Sequence, residues 1–321
     1  MVLEEKQFDN VNDFINALAI DGPTPGLGYS GYVFRGVSVG TGEDEMKLIP
    51  SSLRIKNFPE LIKLSGSSQM DSEYEKKAST QEWIQARAES KILASFFRKA
   101  DGQGLPMGEI TPRMRQTMQT LGTSDALFNL VVQTNQIWPS DDLLPLAAQA
   151  QHYGLPTRLL DWSRDPWIAI YFSTKGALEH VDSGRHKDEY LAVWVLNAEL
   201  LDFEKRLQRP KGVLDIPLTF VTAPASTNPN LRAQQGVFTV WRKKFTDGAS
   251  QLVDRRPLEE QLEETFSKVD LKMPLLYKFT LPISLAPTLW KTIKHSNINA
   301  ARLFPDFSGA AKAVMEESKW G

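Results

Sequence analysis

The chain predicts an α+β fold. Three observations carry this. Strand-like segments concentrate in the second half of its 321 residues. They do not alternate regularly with helices, as a doubly wound α/β sheet requires. One early segment, Tyr32 to Ser38, alternates with period two far upstream of the others. In order, Val11–Leu18 reads as a short helix with Phe14, Ile15 and Leu18 inward, and Asp21 to Gly31 as a Gly/Pro loop. The strand from Tyr32 has Tyr32 and Phe34 on one face and Val33, Arg35 and Val37 on the other. Ser79-Thr80-Gln81-Glu82 has capping-box spacing and predicts a helix to about Lys99. Ala100 to Ser140, broken at Gly102, Gly104 and Pro106, holds one or two helices and reads as an insertion or lid. Asp141-Asp142 starts a helix that Gly154 ends, and Thr157 to Asp161 reads as a short strand. Ser163 or Asp165 caps the next helix, with Pro166 at or near its first position. That helix opens apolar all round, from Trp167 to Phe172, and is expected to be deeply buried. Strands follow at 190–196, 218–222, 237–241 and 276–281, then helices near 285–295 and 309–317.

Composition narrows the class. The chain is 41% hydrophobic and 24% charged, as in globular proteins with an adequate core. A net charge of −2 supplies no global field toward nucleic acid or a membrane surface, though local basic patches are left open. Cysteine is absent, which excludes disulfides, thiolate nucleophiles and Cys-ligated metals. No apolar run approaches the roughly 18 residues of a membrane span, and the acidic, polar start is unlike a signal peptide. A cytoplasmic protein is expected.

The densest chemistry lies in Gln151 to Ser163, where His152, Arg158, Asp161 and Ser163 stand among residues that belong in a core. Burying an ionisable group costs several kcal/mol unless it is paired, so the segment is an internal ion-pair network or the wall of a site. Arg35 lies where the strand expects a core residue, with Gly36 beside it to admit a close backbone or ligand. It is an anion clamp or half of a buried pair. Glu89 shares a helix face with Ile92, Leu93, Phe96 and Phe97; it meets Arg35 or Arg158, or faces a cavity. His152, in the last turn of its helix, is a cationic cap stabilised by the helix dipole or a site residue. No two of His152, His180, His186 and His295 share a zinc or non-haem iron spacing, and no metal is expected. Ser163 lacks a Gly-x-Ser-x-Gly context; it serves as a cap or as a phosphate ligand beside a helix N-terminus. Asp161 would hold a ribose hydroxyl or pair with Arg158. Gln235, in the polar loop from Asn230, would bind an amide or sugar hydroxyl or satisfy a turn. No Gly-x-Gly-x-x-Gly, P-loop or aromatic-basic RNA-binding array is present.

Taken together these motifs resemble the FRG domain family. Phe34-Arg35-Gly36 matches the triplet that names it. Gln151 to Ser163 with Pro166, Ala169, Tyr171 and Phe172 matches its longest motif. Asn230, Arg232, Gln235, Gly236 and Phe238 match a third, and Leu303-Phe304-Pro305-Asp306 resembles the closing segment. Glu89 and Phe96-Phe97-Arg98 fit the helix between the first two. The likeness runs from about residue 25 to 315. It implies a single FRG-type domain over 1–321 with its helical insertion or lid at 100–140. The family's arrangement is similar to that of ADP-ribosyltransferases, which implies a mixed or antiparallel split β-core, surrounded by helices, that clamps NAD as substrate. Arg35 would meet the phosphate and ribose side with Gly36, Arg158 and Ser163 nearby, and Gln235 would lie near the position of the catalytic glutamate. There the chain departs from the pattern, because glutamine can hydrogen-bond but cannot carry charge or take a proton. Glu89, Asp161 or His152 would have to supply what is missing. The resemblance implies a toxin or phage-defence transferase that uses NAD to modify a protein or nucleic acid, with no membrane partner. The alternative is a non-catalytic module that binds a nucleotide or peptide.

Overall fold

A computed structural model describes residues 1–18, 31–42, 45–66, 81–107, 110–120, 137–184, 189–207, 214–222, 229–244 and 253–321. The Gly/Pro loop expected at 21–31, apart from Gly31, the start of the capping box at Ser79-Thr80, and His186 lie outside them. The strands are β1 (Leu3–Gln7), β2 (Tyr32–Val37), β3 (Ile137–Trp138), β4 (Leu160–Ser163), β5 (Tyr190–Asn197), β6 (Leu218–Val221), β7 (Gly236–Trp241), β8 (Lys243–Lys244) and β9 (Leu276–Pro282). The helices are α1 (Val11–Leu18), α2 (Phe58–Leu64), α3 (Gln81–Gly102), α4 (Pro112–Thr120), α5 (Leu144–His152) and α6 (Pro166–Asp182). After them come α7 (Ala198–Arg206), α8 (Pro229–Ala233), α9 (Leu258–Phe266), α10 (Ala286–His295), α11 (Ala300–Leu303) and α12 (Phe307–Trp320). The fold is α+β. A seven-stranded sheet runs β1-β9-β5-β2-β4-β7-β6, and β3 pairs with β8 separately. Among the described residues only β1 and β9 are parallel neighbours; the other pairs are antiparallel.

The alternation of β2 sorts its residues as the sequence predicts. Tyr32 and Phe34 join a core with α1, α6 and α10, which contribute Phe14, Tyr171 and Trp290. Val33 and Val37 join the opposite core, with Trp162, Trp194 and Phe266 of α9. A third core gathers α3, α4 and α5 around Phe97, Met118 and Trp138, and covers Phe238 and Val240 of β7. One face of the sheet is therefore covered by two separate helical groups, with α6 over β2 and β5, and α5 over the β4–β7 end.

Between these covers the sheet parts. β2 pairs with β5 over six residues but with β4 only at Phe34↔Ser163. Gly36 sits where α6 presses onto the sheet, and a Cβ there would lie 1.9 Å from the Ala169 carbonyl oxygen. Glycine is required for that approach.

Several expectations shift. The strand expected at Thr157–Asp161 is displaced to Leu160–Ser163. The backbone before it is engaged elsewhere: the Thr157 carbonyl accepts from Ser52 N, and Leu159 N donates to Thr157 Oγ1. β1 was not expected; it is a charged strand at the sheet edge, where charge discourages pairing with other chains. Asp165, rather than Ser163, caps α6 by accepting from Trp167 N at 2.9 Å. Phe172 is 37% exposed instead of deeply buried. Of the 100–140 region, α4 buries Met114 and Met118 in the third core, and residues 108–109 and 121–136 lie outside those described. Among the described residues no helix is long and apolar enough to cross a membrane.

Candidate functional site

The parting of β2 and β4 opens a cleft of about 350 Å³. β2 contributes Phe34, Arg35 and Gly36; the end of α5 contributes Gln151 and His152; β4 contributes Asp161, Trp162 and Ser163. Phe172 of α6, Phe238 of β7 and Phe304 after α11 close the walls. Phe172 and Phe304 meet edge to face, with ring centroids 6.4 Å apart. The exposure of Phe172 follows from this: it walls a cavity rather than a core.

Arg35 starts on the Val33/Val37 face of β2, whereas Asp161 shares the opposite face with Ser163 and, by register, with Phe238. The guanidinium reaches through the gap between the strands. Its Nη1 donates to the Asp161 carbonyl oxygen at 2.8 Å and to Asp161 Oδ2 at 2.6 Å. A side-chain bridge thus stands where the backbone ladder stops. Arg35 Nε is buried with no hydrogen-bond partner among the described residues, leaving an unused donor beside the cleft.

Asp161 is held from its other side by Gln151, whose Nε2 donates to Oδ1 at 2.6 Å and to the Leu159 carbonyl at 3.1 Å. Thr157 Oγ1 in turn donates to Gln151 Oε1. Solvent reaches Asp161 through the cleft, leaving 60% of its side chain accessible, although protein surrounds it. Burial raises its pKa, but the Arg35 charge and the hydrogen bonds from Arg35 and Gln151 outweigh that, so the carboxyl sits below its ordinary range. Arg54 stands within electrostatic reach: burial, then the like charge of Arg35, lowers its pKa, while Asp161 acts in the opposite sense.

His152 had two readings, a cationic cap at the helix end or a site residue. Burial lowers its pKa below the ordinary value, which disfavours the cationic ring. Its ring contacts Tyr153 edge-on at 5.2 Å. The helix stops because Gly154 takes a left-handed φ of +84°.

Other predicted residues stand apart from the cleft lining. Glu89 and Arg158 form a buried ion pair at 2.6 Å, beside a separate small pocket against Trp138. Glu89 also accepts from Ser52, Gln85 and Trp138. It therefore meets Arg158, not Arg35, and Asp161 pairs with Arg35, not Arg158. Gln235 is exposed in a left-handed turn, φ +47°, with its amide 3.5 Å from Asp165 Oδ2. Its neighbours Gln234 and Gly236 line the cleft instead. Ser163 lines the cleft, but its hydroxyl donates to the Gln234 carbonyl at 2.9 Å and accepts from Asp165 N at 3.0 Å. The adjoining helix N-terminus is capped by a carboxylate, which opposes an anion there. Among the described residues no group of three or more His, Asp or Glu is placed to hold a metal ion.

Residues 85–182 match the family model of the FRG domain. The match supports the FRG family. It spans α3 to α6, and so contains Glu89, Gln151, His152, Arg158, Asp161 and Ser163. The Phe34-Arg35-Gly36 triplet lies outside the FRG match, yet the fold delivers it to the cleft that the matched segment walls. No curated protein and no solved structure matches the chain. Gln151 and the aromatic walls were within the quoted motifs but had no role assigned to them. Their signal was a polar or aromatic residue at the mouth of an apolar segment.

Proposed function

We propose that the cleft binds NAD and that the chain is an ADP-ribosyltransferase-like enzyme. The observation that carries this reading is the Arg35–Asp161 bridge across the parted strands, set among aromatic rings. A cleft of about 350 Å³ is at the small end of the ~300–1,000 Å³ typical of ligand sites. It suits the nicotinamide riboside half of the dinucleotide. Phenylalanine faces receive the pyridine ring. The guanidinium of Arg35 would meet the ribose and phosphate side.

Asp161 takes the role that Gln235 cannot. When the bond between ribose C1′ and the nicotinamide nitrogen breaks, the electron pair leaves with nicotinamide and positive charge develops on the ribose. A carboxylate fixed by Arg35 and Gln151 stabilises that charge without reorganising. A nucleophile on the target then bonds to C1′, and its proton passes to the neutral His152 and on to solvent.

Nicotinamide release, together with transfer of label from NAD to a lysate, tests this. Asp161→Asn is expected to lower release by about 100-fold, the scale of one lost electrostatic contact in an active site, with melting nearly unchanged. Release at the wild-type rate by the variant, or no release by a folded wild type, overturns the transferase reading. One observation favours a second reading: both oxygens of Asp161 are already engaged at 2.6 Å. A site so occupied suits a binding module that holds the nucleotide without chemistry. Calorimetry showing NAD bound and intact selects it.

A further inference from the structure

We propose that the rim of the cleft docks a single-stranded nucleic acid, which makes a nucleic-acid strand the target. The choice of target rests on the NAD reading; the docking surface itself does not. Four exposed cations lie on the segments that neighbour the cleft walls: Arg164, Arg232, Arg302 and Lys312. Each is tied to a wall of the cleft. Arg164 follows Ser163, and its backbone N–H donates to the Gln235 carbonyl at 3.1 Å. Arg232 follows Leu231, another wall residue. Gln234 Nε2 donates to the Leu303 carbonyl at 3.2 Å, which draws the end of α8, with Arg232, to the Arg302 helix. The Lys312 ammonium lies 4.7 Å from the Phe304 ring centroid.

Among the described residues none of these four forms an ion pair. That is unlike arginines elsewhere on the surface, where Arg113, Arg115, Arg206 and Arg256 each have a carboxylate partner. Asp165, next to Arg164, and Asp306, four residues from Arg302, are held as helix caps by Trp167 N and Gly309 N, and Glu316, four residues from Lys312, is buried and accepts from the Tyr171 hydroxyl. The rim is thus positive on a chain whose net charge is −2. Beside the cations, Phe307 is 97% exposed and Phe172 37% exposed. Exposed rings offer stacking faces to unpaired bases, and guanidinium forks suit phosphates. A duplex hides its base faces, and an acidic peptide makes no use of open aromatic rings, so a single strand fits best.

The test uses a fluorescent 16-nucleotide oligo(dT) and oligo(rU), with anisotropy read between 50 and 200 mM salt on the full chain. Binding is expected to weaken with salt at a log–log slope of about −0.7 per phosphate contact, or about −2.8 for four. Each single alanine at Arg164, Arg232, Arg302 or Lys312 should reduce the slope by about 0.7, and the quadruple alanine variant should bind about 100-fold more weakly at 0.1 M salt. Phe307→Ser should weaken binding by about tenfold with the slope unchanged. Nicotinamide release without added target is read on the same proteins and should not change. Strand binding with the expected slope, but no NAD turnover by the wild type, sinks the enzyme reading and leaves the docking surface standing. The proposal is overturned by no strand binding, by a quadruple variant that binds as the wild type does, or by tighter capture of a Glu-rich peptide or of anionic phosphatidylserine vesicles.

Discussion

Two arginine–carboxylate pairs in this molecule have the same 2.6 Å separation and opposite surroundings. Glu89–Arg158 is closed. Both side chains are about 5% exposed, and the carboxylate also accepts from Ser52, Gln85 and Trp138. Arg35–Asp161 is open: solvent reaches the aspartate. The carboxylate of the first pair has its hydrogen-bonding capacity filled from within the fold, so it holds elements together, namely α3, the loop before β4 and Trp138. The carboxylate of the second stands in a cavity, between strands that have stopped pairing. Solvent access at the carboxylate, not the ion pair itself, separates a site from a strut.

The largest expected effect tests the strut. Arg158→Ala leaves the enclosed Glu89 without its cation, and should destabilise by about 3–5 kcal/mol in urea unfolding. Replacing both partners, Glu89→Leu with Arg158→Met, should recover most of that, because no unpaired charge remains. A folded Arg158→Ala that melts like the wild type but has lost nicotinamide release breaks the comparison and returns Arg158 to the site.

Next comes the open pair. Arg35→Ala should cost about 1 kcal/mol or less, since its partner is solvated, while abolishing NAD binding as read by calorimetry. Stability loss equal to that of Arg158→Ala would make both pairs struts.

This contrast was only half legible in the sequence. Glu89 announced itself as a carboxylate in an apolar stripe, and its partner was one of two named arginines. Arg35 announced itself by alternation against Val33 and Val37. What the sequence could not supply was the parting of β2 from β4, which is a property of register and of the helices laid over the sheet. Without it, Asp161 read equally well as a ligand for a ribose hydroxyl or as the partner of Arg158, and the alternation of Arg35 pointed into a core instead of through a gap. The strands of the second half were legible because their apolar runs are long and rich in β-branched and aromatic residues. β1 was not, because LEEKQ is held by its parallel ladder to β9 while its side chains remain largely polar. The displacement of β4 was hidden for a similar reason: Thr157 and Gln151 side chains satisfy the preceding backbone, and side-chain capture of a backbone group leaves no periodic trace.

A smaller effect concerns acid. His152 has a pKa below its ordinary 6.5 because burial disfavours the charged ring. In the window between the folded and unfolded values the unfolded chain binds more protons, so stability falls as pH drops below about 6.5. The neutral ring is also the proton acceptor in the proposed transfer, so nicotinamide-linked transfer should keep its rate down to below pH 6.5 and then decline. His152→Gln should remove that acid limb from stability and lower transfer at all pH values. A limb that persists unchanged in the variant assigns it to another group.

The smallest effect sharpens why the cleft is open where it is. Asp165 caps α6 through Trp167 N and faces the Gln235 amide, so it joins the helix under the cleft to the loop at its edge. Asp165→Ala should cost about 1 kcal/mol, the usual loss of a cap. Asp165→Asn keeps the cap and removes the charge, so its unfolding midpoint should stay close to that of the wild type. If the carboxylate at this helix end also repels phosphates, the asparagine variant should bind inorganic phosphate or NAD more tightly than the wild type, by calorimetry at low salt. Equal affinities would mean that the anion lies across the cleft, nearer Arg35, and that the helix end only holds the wall in place.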